Sequence, residues 1–301
     1  MLTNRTATPN ETRAFLVSLR PWEWTKNLVV LTGLVFAYRF RDPTAVVDAL
    51  LAFAAFCGLS GMAYVVNDIC DRAQDLQHPQ KRFRPIASGA LGNRAAVVGL
   101  AVVGAAVGMV SLWLGWMFAG WTAVYLLLNV AYSKWLKHIV VLDVVCVALG
   151  FLIRVFAGCA AVARPASGYA IACVFSVALM LGAGKRRGEL LLHGGNSARH
   201  RAVFDRYTEW MLDSILAAAA VATLASYALF VVSRKHPPAM IYTAALILAG
   251  VGRYFWLLYK GRGADQPARL LWSDGPLALT CAAWGVMTAL ILWGSGYTAP
   301  H

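Results

Sequence analysis

The sequence is short of charged residues. Only 14% of its 301 residues are Asp, Glu, Lys or Arg, whereas soluble domains usually carry about a quarter. Hydrophobic residues make up 59%, and the mean hydropathy is +0.61. Because a membrane helix needs about 20 mainly apolar residues, these runs predict an all-α integral membrane protein, with residues 1–301 forming a single membrane domain. Nine apolar spans are centred near residues 34, 56, 103, 124, 150, 176, 222, 248 and 286.

Two other patterns are missing. Residues 1–20 are polar and lack an apolar core before a small-residue cleavage site, so we expect no cleavable signal peptide. The cysteines show neither a CxxC pair nor Cys/His ligand spacing, which argues against zinc sites and disulfides. We therefore interpret them as small core hydrophobes. They are Cys57, Cys70, Cys146, Cys159, Cys173 and Cys281.

Acidic residues are scarcer than basic ones. The formal net charge is +13, from 27 Lys and Arg against 14 Asp and Glu. Most of the cations fall in the N-terminal segment and the even-numbered loops between spans. The positive-inside rule then places the N-terminus in the cytoplasm and the C-terminus, after nine crossings, outside. Anionic lipids and a phosphorylated substrate explain this one-sided charge better than nucleic acid does.

The acids that are present concentrate in one stretch, Asn67 to Asp75, directly after the apolar run of the second span. Asp68, Asp71 and Asp75 would lie within about 60° of arc on a continuous helix. Clustered carboxylates repel one another unless a cation lies between them, and oxygen ligands completed by substrate phosphates suit Mg²⁺. The spacing predicts a magnesium site; the alternative is a solvated helix end beside a basic loop.

Cations at the cytoplasmic ends of the spans are candidates for holding phosphate, Arg through its bidentate fork. The alternative for each is an ordinary basic flank at the membrane interface. Polar neighbours join them as candidates, and Glu189 would orient Lys185 or complete the metal site. Cap loops of about 68–94 and 185–210, with the flexible stretch 194–197, would cover the site. Asn67 would orient the metal or the ribose hydroxyls. The substrate-binding candidates are Lys26, Asn27, Asn67, Lys81, Arg84, Tyr132, Lys137, Lys185 and Arg186.

The fifth span carries two charges, Asp143 and Arg154. Charged residues at membrane depth generally face a protein interior or a watery cavity. Eleven residues separate the two along the helix, which is about 16 Å and too far for a direct pair. We therefore expect each to have another partner, and Arg154 joins the substrate-binding candidates.

Several of these motifs resemble the UbiA superfamily of intramembrane prenyltransferases. The run NDICDRAQD followed by HPQKRFRPIASG is similar to the first aspartate-rich motif, NDxxDxxxD, of that family. The segments AYSKWLKH and DVVCVALGFLIRVFAG extend the resemblance over most of the chain. It implies nine transmembrane helices around a central cavity that opens to the cytoplasmic side of the bacterial inner membrane.

The sequence departs from most of that superfamily after the sixth span. GKRRGEL stands where a second aspartate-rich motif is usual, and this pattern, together with RPWEWTKN before the first span, resembles the decaprenyl-phosphate phosphoribosyltransferase branch. The resemblance implies transfer of phosphoribose from 5-phosphoribosyl 1-diphosphate to decaprenyl phosphate, for arabinan of the cell wall. Asp68, Asp71, Asp75, Lys185 and Glu189 would then be the catalytic residues. Whether the chain forms a homo-oligomer is left open.

Two other functions are compatible with parts of the pattern. One is a prenyltransferase that moves a prenyl group from prenyl diphosphate to an aromatic acceptor, which product analysis distinguishes. The other is a lipid-phosphate transporter. A transporter would carry charges through the depth of the membrane, whereas most of these charges lie on one side.

Overall fold

The structure is a computed structural model that describes residues 10–165, 167–193, 207–233, 237–261, 270 and 273–295. All regular structure in these residues is helical, which confirms the all-α prediction. Helices satisfy every backbone hydrogen bond within one segment, as the interior of a bilayer requires. The α-helices are α1 Glu11–Ser18, α2 Thr32–Phe36, α3 Pro43–Cys70, α4 Arg72–Gln77, α5 Asn93–Trp113, α6 Trp116–Lys134, α7 Leu142–Ala161, α8 Gly168–His193, α9 Glu209–Val232, α10 Thr243–Tyr259 and α11 Gly275–Gly294.

Four 3₁₀ helices complete the described structure: Pro21–Leu31, Lys81–Phe83, Leu136–His138 and Pro238–Tyr242. The last of these continues directly into α10. The first, which we call the N-terminal 3₁₀ segment, continues into α2.

Seven helical segments among the described residues are long and apolar enough to cross a membrane. They contain the predicted centres near 56, 103, 150, 176, 222, 248 and 286. The centre near 124 lies in α6, which has 19 residues and is not one of the seven. The centre near 34 lies in α2, directly after the N-terminal 3₁₀ segment. Nine crossings therefore stay a prediction.

The N-terminal 3₁₀ segment packs its backbone directly against α7. A Cβ atom on Gly158 would overlap the carbonyl oxygen of Val30, and one on Gly33 would lie 2.6 Å from the carbonyl carbon of Gly158. Any larger residue at either position would separate the two elements. The pair of glycines is therefore what allows an irregular segment to lie tightly against the central helix.

Helix α7 is the central element of the described structure. Its apolar window is 61% buried, against 17% for α5 and for α11, which expose most of their surface. One core cluster joins α3, α5, α6 and α7 around Phe56, Phe118 and Tyr125. Another joins α7, α8, α9 and α10 around Val144, Leu212 and others. Residues of both clusters line the cavity described below.

The cysteines follow the sequence interpretation in part. All six are free thiols, and Cys57, Cys146 and Cys159 are buried, as predicted for core residues. Cys70 and Cys281 are exposed, Cys281 into the cavity described below, so those two are not core residues.

Candidate functional site

A cavity of about 1120 Å³ lies between the two core clusters. Most of its wall is apolar and comes from α6 to α11, while charged side chains come from the N-terminal 3₁₀ segment, α7 and the end of α8. This combination suits a ligand with a long apolar part and an anionic group. The charged residues that line it are Glu23, Lys26, Arg154, Lys185 and Arg186.

The acidic stretch does not form one continuous helix. Helix α3 ends at Cys70, Asp71 has φ −91° and ψ 6°, and α4 starts at Arg72. The stretch therefore departs from a continuous helix at Asp71, while Asp68 and Asp75 still lie close enough to share one arginine; a common face for all three carboxylates stays a prediction. The described residues contain no group of three or more His, Cys, Asp or Glu side chains placed to hold a metal ion.

Arginines occupy the position between two of the aspartates. Asp68 and Asp75 are 2% and 3% exposed. Arg84 Nη1 donates to Asp68 Oδ1 at 3.0 Å and to Asp75 Oδ2 at 2.8 Å. Arg20 Nη2 donates to the same Asp68 oxygen at 2.7 Å. Buried carboxylates need such partners, and in this group, which we call the acidic cluster, the partners are guanidinium groups.

Asp71 differs from its two neighbours. It is half-buried, and its carboxylate makes no hydrogen bond or ion pair with any residue that the structure describes. Asn67 lies one turn before it, and its Oδ1 accepts from Ser133 Oγ at 3.2 Å. A hard cation can be held by one carboxylate, an amide oxygen and substrate phosphate oxygens. The donor set therefore favours Asp71 with Asn67 over Asp68 and Asp75 as metal-binding side chains.

The end of α8 forms a second polar group, which we call the α8 pole. Arg186 is 5% exposed. Its Nε donates to Asp143 Oδ2 and its Nη1 to Glu189 Oε2, both at 2.6 Å, and its Nη2 lies 3.4 Å from Tyr132 Oη. Lys185 Nζ lies 3.9 Å from Glu189 Oε1. Glu189 thus contacts both cations, as the predicted orienting role requires.

Tyr207, which lies just before α9, supports this pole. Its hydroxyl donates to Asp143 Oδ1 and accepts from Val141 N at 2.7 Å. Burial, followed by the hydrogen bond to Asp143, raises the pKa of the Tyr207 hydroxyl, so it remains a neutral donor. The sequence analysis did not identify Tyr207 as a site residue, because nothing local links it to Asp143, 64 residues away.

Arg154 also lines the cavity, eleven residues further along α7 than Asp143. Its Nε donates to Asn27 Oδ1 at 2.7 Å and its Nη2 to Tyr125 Oη at 2.8 Å. The prediction that Asp143 and Arg154 do not pair with each other is confirmed. Asn27 is fully buried and does not line the cavity, so it supports Arg154 and does not face a ligand.

Of the other predicted residues, some line the cavity and others lie outside it. Lys26 lines the cavity and forms an ion pair with Glu23. Lys81 is exposed on a 3₁₀ helix outside the cavity, and Lys137 is half-buried and also outside it. The stretch 194–197 and the rest of the predicted cap loop up to residue 206 lie outside the described residues.

Besides Tyr207, two further residues with contacts to the predicted site residues were not predicted themselves. Arg20 contacts Asp68 and also stacks on the ring of Tyr64 at 4.6 Å. The sequence could have identified Arg20, because it is the first residue of the RPWEWTKN segment. Tyr125 accepts a hydrogen bond from Arg154 through its hydroxyl. The sequence indicated that the buried arginine needs a partner, but helical periodicity does not indicate which residue of α6 provides it.

Comparison with known proteins gives consistent relationships. The model of the UbiA prenyltransferase family matches residues 28–275. The decaprenyl-phosphate phosphoribosyltransferase of Mycolicibacterium smegmatis is 35% identical over 235 residues, which cover 75% of this chain and 73% of that protein. The one of Mycobacterium tuberculosis is 30% identical over 276 residues, 89% and 90% of the two chains. A UbiA homologue from Archaeoglobus fulgidus, solved with GPP and Mg²⁺, has a TM-score of 0.69 at 16% identity, with 93% and 97% of the chains covered.

Proposed function

The chain belongs to the UbiA prenyltransferase family, and on that premise we propose that it is a phosphoribosyltransferase. It transfers the 5-phosphoribosyl group from 5-phosphoribosyl 1-diphosphate to decaprenyl phosphate or a similar polyprenyl phosphate and releases diphosphate. The product would serve as a precursor of cell-wall arabinan. The observation that carries the proposal is the cavity, whose long apolar wall and lining cations Lys26, Arg154, Lys185 and Arg186 match an amphiphilic phosphate. The curated relatives that share 30–35% identity point to the same reaction.

The acceptor fits the apolar part of the cavity. Side chains from α8, α9, α10 and α11 form a wall of small and aromatic residues, among them Val174, Phe230 and Ile247. Isoprenoid units can enter this wall from the bilayer without desolvation of polar groups, because the lining is as apolar as the lipid tails around it. The phosphate of the same lipid would then lie where cations line the cavity.

The donor is recognised by charge. A bond forms between a phosphate oxygen of the lipid and C1 of the ribose, the bond from C1 to the diphosphate breaks, and its electron pair leaves with the diphosphate. The nucleophile is already anionic, so the reaction needs no strong general base. It needs cations that hold two anionic substrates together, and Lys26, Lys185 and Arg186 line the cavity for this role.

A divalent metal ion, which we propose to be Mg²⁺, would be held by Asp71 and Asn67 and would neutralise the charge of the leaving diphosphate. Neither residue lines the cavity itself; they follow Tyr64 of α3, which does. The acidic cluster positions Arg20 and Arg84 beside that place. Arg84 is 28% exposed in its side chain, so its guanidinium can also meet a phosphate.

The position of the site relative to the membrane follows from charge. The end of α3, the start of α5 and the end of α8 carry the cations, and the positive-inside rule places these ends in the cytoplasm. The cavity would therefore receive the soluble donor from the cytoplasm, in the inner membrane of a bacterium.

The test uses purified protein in detergent with Mg²⁺, radiolabelled 5-phosphoribosyl 1-diphosphate and decaprenyl phosphate. Label should enter the organic phase together with release of diphosphate, and a chelator should abolish both. If no label enters, and the protein instead prenylates an aromatic acceptor from a prenyl diphosphate, the phosphoribosyl assignment is wrong.

A further inference from the structure

Arg154 is a buried cation without an anionic partner among the residues that the structure describes. It is 8% exposed and lines the cavity. It makes no ion pair with any residue that the structure describes, whereas Arg186 and Arg187, which are equally buried, each pair with an aspartate. A charge at membrane depth is costly unless it is paired. The difference between Arg154 and the other two arginines therefore calls for an explanation.

Neutral groups orient the Arg154 guanidinium. Three hydrogen bonds hold it, to Asn27 Oδ1, Tyr125 Oη and the Gly150 carbonyl oxygen. The rings of Tyr125 and Phe151 lie 4.8 and 5.3 Å from its Cζ. These contacts fix the direction of the side chain without cancelling its charge. An arginine held in this way gains most from an anion that enters the cavity.

Arg154 is also separated from the α8 pole. Asp143, which binds Arg186, lies 11 residues earlier on the same helix, about 16 Å along its axis. The cations that line the cavity thus lie at different depths: Lys185 and Arg186 at the end of α8, and Arg154 further along α7, with its guanidinium reaching back one turn to the Gly150 carbonyl oxygen. A substrate pair that carries more than one phosphate group can use both.

We propose that Arg154 forms a second phosphate subsite, deep in the cavity, for a phosphate monoester group. The inference rests on the proposed function, which supplies two such groups: the 5-phosphate of the sugar donor and the phosphate of the lipid acceptor. Either would form charge-assisted hydrogen bonds with the guanidinium. The competing explanation is that Arg154 only holds Asn27, and through it the N-terminal 3₁₀ segment.

Asn27→Asp separates these explanations. The new carboxylate keeps an acceptor oxygen facing Arg154 Nε, and the Ser60 hydroxyl can turn to donate to its other oxygen. The variant therefore keeps the contact but neutralises the charge. The matched control is Ser60→Ala, which loosens Asn27 without touching Arg154.

The experiment measures binding of 5-phosphoribosyl 1-diphosphate, ribose 5-phosphate and farnesyl phosphate to the full-length protein in detergent with Mg²⁺. Arg154→Gln and Asn27→Asp should each weaken binding about 10- to 100-fold, and Asn27→Asp should also raise the melting temperature because it pairs a buried charge. A loss shared by the two ribose phosphates assigns the subsite to the 5-phosphate. A loss confined to farnesyl phosphate assigns it to the lipid.

Three results would overturn the subsite: unchanged binding of all ligands in both variants, a loss with Arg154→Gln but not with Asn27→Asp, or an equal loss with Ser60→Ala. Turnover is not needed for any of these measurements. A protein that binds phosphate through Arg154 but transfers no phosphoribose would refute the proposed function and leave the subsite standing.

Discussion

Of the three aspartates in the acidic stretch, two contact Arg84 and the third does not. Asp68 and Asp75 share its guanidinium, so removing either carboxylate leaves a half-buried cation with one partner fewer. Asp71 takes part in no such contact among the described residues. We therefore expect the same motif to supply two carboxylates for structure and one for a ligand.

This division predicts different effects of matched substitutions. Asp71→Asn should lower turnover at least about 100-fold and leave the melting temperature nearly unchanged, because its carboxylate pairs with none of the residues that the structure describes. Asp75→Asn should lower the free energy of unfolding by about 1–3 kcal/mol, because it weakens a buried ion pair. Turnover assays and thermal unfolding of the purified variants measure the two effects. A melting temperature that falls equally in both variants would contradict the division.

The cations also differ in what they can reach. Lys185→Gln should raise the KM for 5-phosphoribosyl 1-diphosphate about 10-fold, because Lys185 lines the cavity and a charge-assisted hydrogen bond is lost. Lys81→Gln is the control, since Lys81 is exposed outside the cavity, and should change the KM less than about twofold. Steady-state kinetics at fixed ionic strength measures both KM values. If the two variants raise the KM equally, the overall positive charge, and not the position of Lys185, attracts the donor.

The sequence identified most of these residues but not their partners. The motif itself pointed to Asp68, Asp71 and Asp75, and the cost of a charge in hydrocarbon required partners for Asp143 and Arg154. Which residues those are depends on contacts between distant segments: Asp143 meets Arg186 and Tyr207, and Arg154 meets Asn27, 127 residues away. Spacing within one helix carries no information about such contacts.

At the scale of elements, the N-terminal 3₁₀ segment is the unexpected one. Its apolar residues predicted a regular span near residue 34, but Pro21–Leu31 is a 3₁₀ helix and only Thr32–Phe36 is α-helical. Lys26, which lines the cavity, lies on this segment. The position of that lysine therefore depends on how closely the segment packs against α7.

Gly158→Ala tests this dependence. The added methyl group would overlap Val30 O, so we expect a loss of about 1–3 kcal/mol in the free energy of unfolding and a raised donor KM as Lys26 shifts. Gly120→Ala in α6 is the control, because nothing lies within 4 Å of its Cβ position, and it should be neutral or slightly stabilising. Denaturation and kinetics of both variants are compared. Equal stability of the two variants would contradict the close packing.

The helix break at Asp71 is a feature of the secondary structure that the sequence did not predict. Hydropathy located the spans because each needs a long apolar run, and seven of the nine centres fall in suitable helices. The end of α3 at Cys70 has no such signal, since the polar residues on both sides of it are compatible with continued helix. The break was therefore visible only in the structure.

At the scale of the whole molecule, charge asymmetry orients the chain. If the N-terminus is cytoplasmic and the helices cross the membrane nine times, the C-terminus is outside. Alkaline phosphatase fused after residue 301 should then be active in intact bacteria, and the same enzyme fused within 81–84 should be inactive. An inactive C-terminal fusion that is stably expressed would contradict nine crossings.

The size of the cavity bears on how the protein would select its lipid. About 1120 Å³ is close to the space that a drug-sized ligand fills, whereas decaprenyl phosphate has ten isoprenoid units and must share the cavity with a sugar donor. Only the units next to the phosphate can be enclosed, so the remainder of the chain lies among the bilayer lipids. Such a protein would recognise the head of its lipid and be indifferent to the length of the tail, which cells would then have to fix at an earlier, chain-building step.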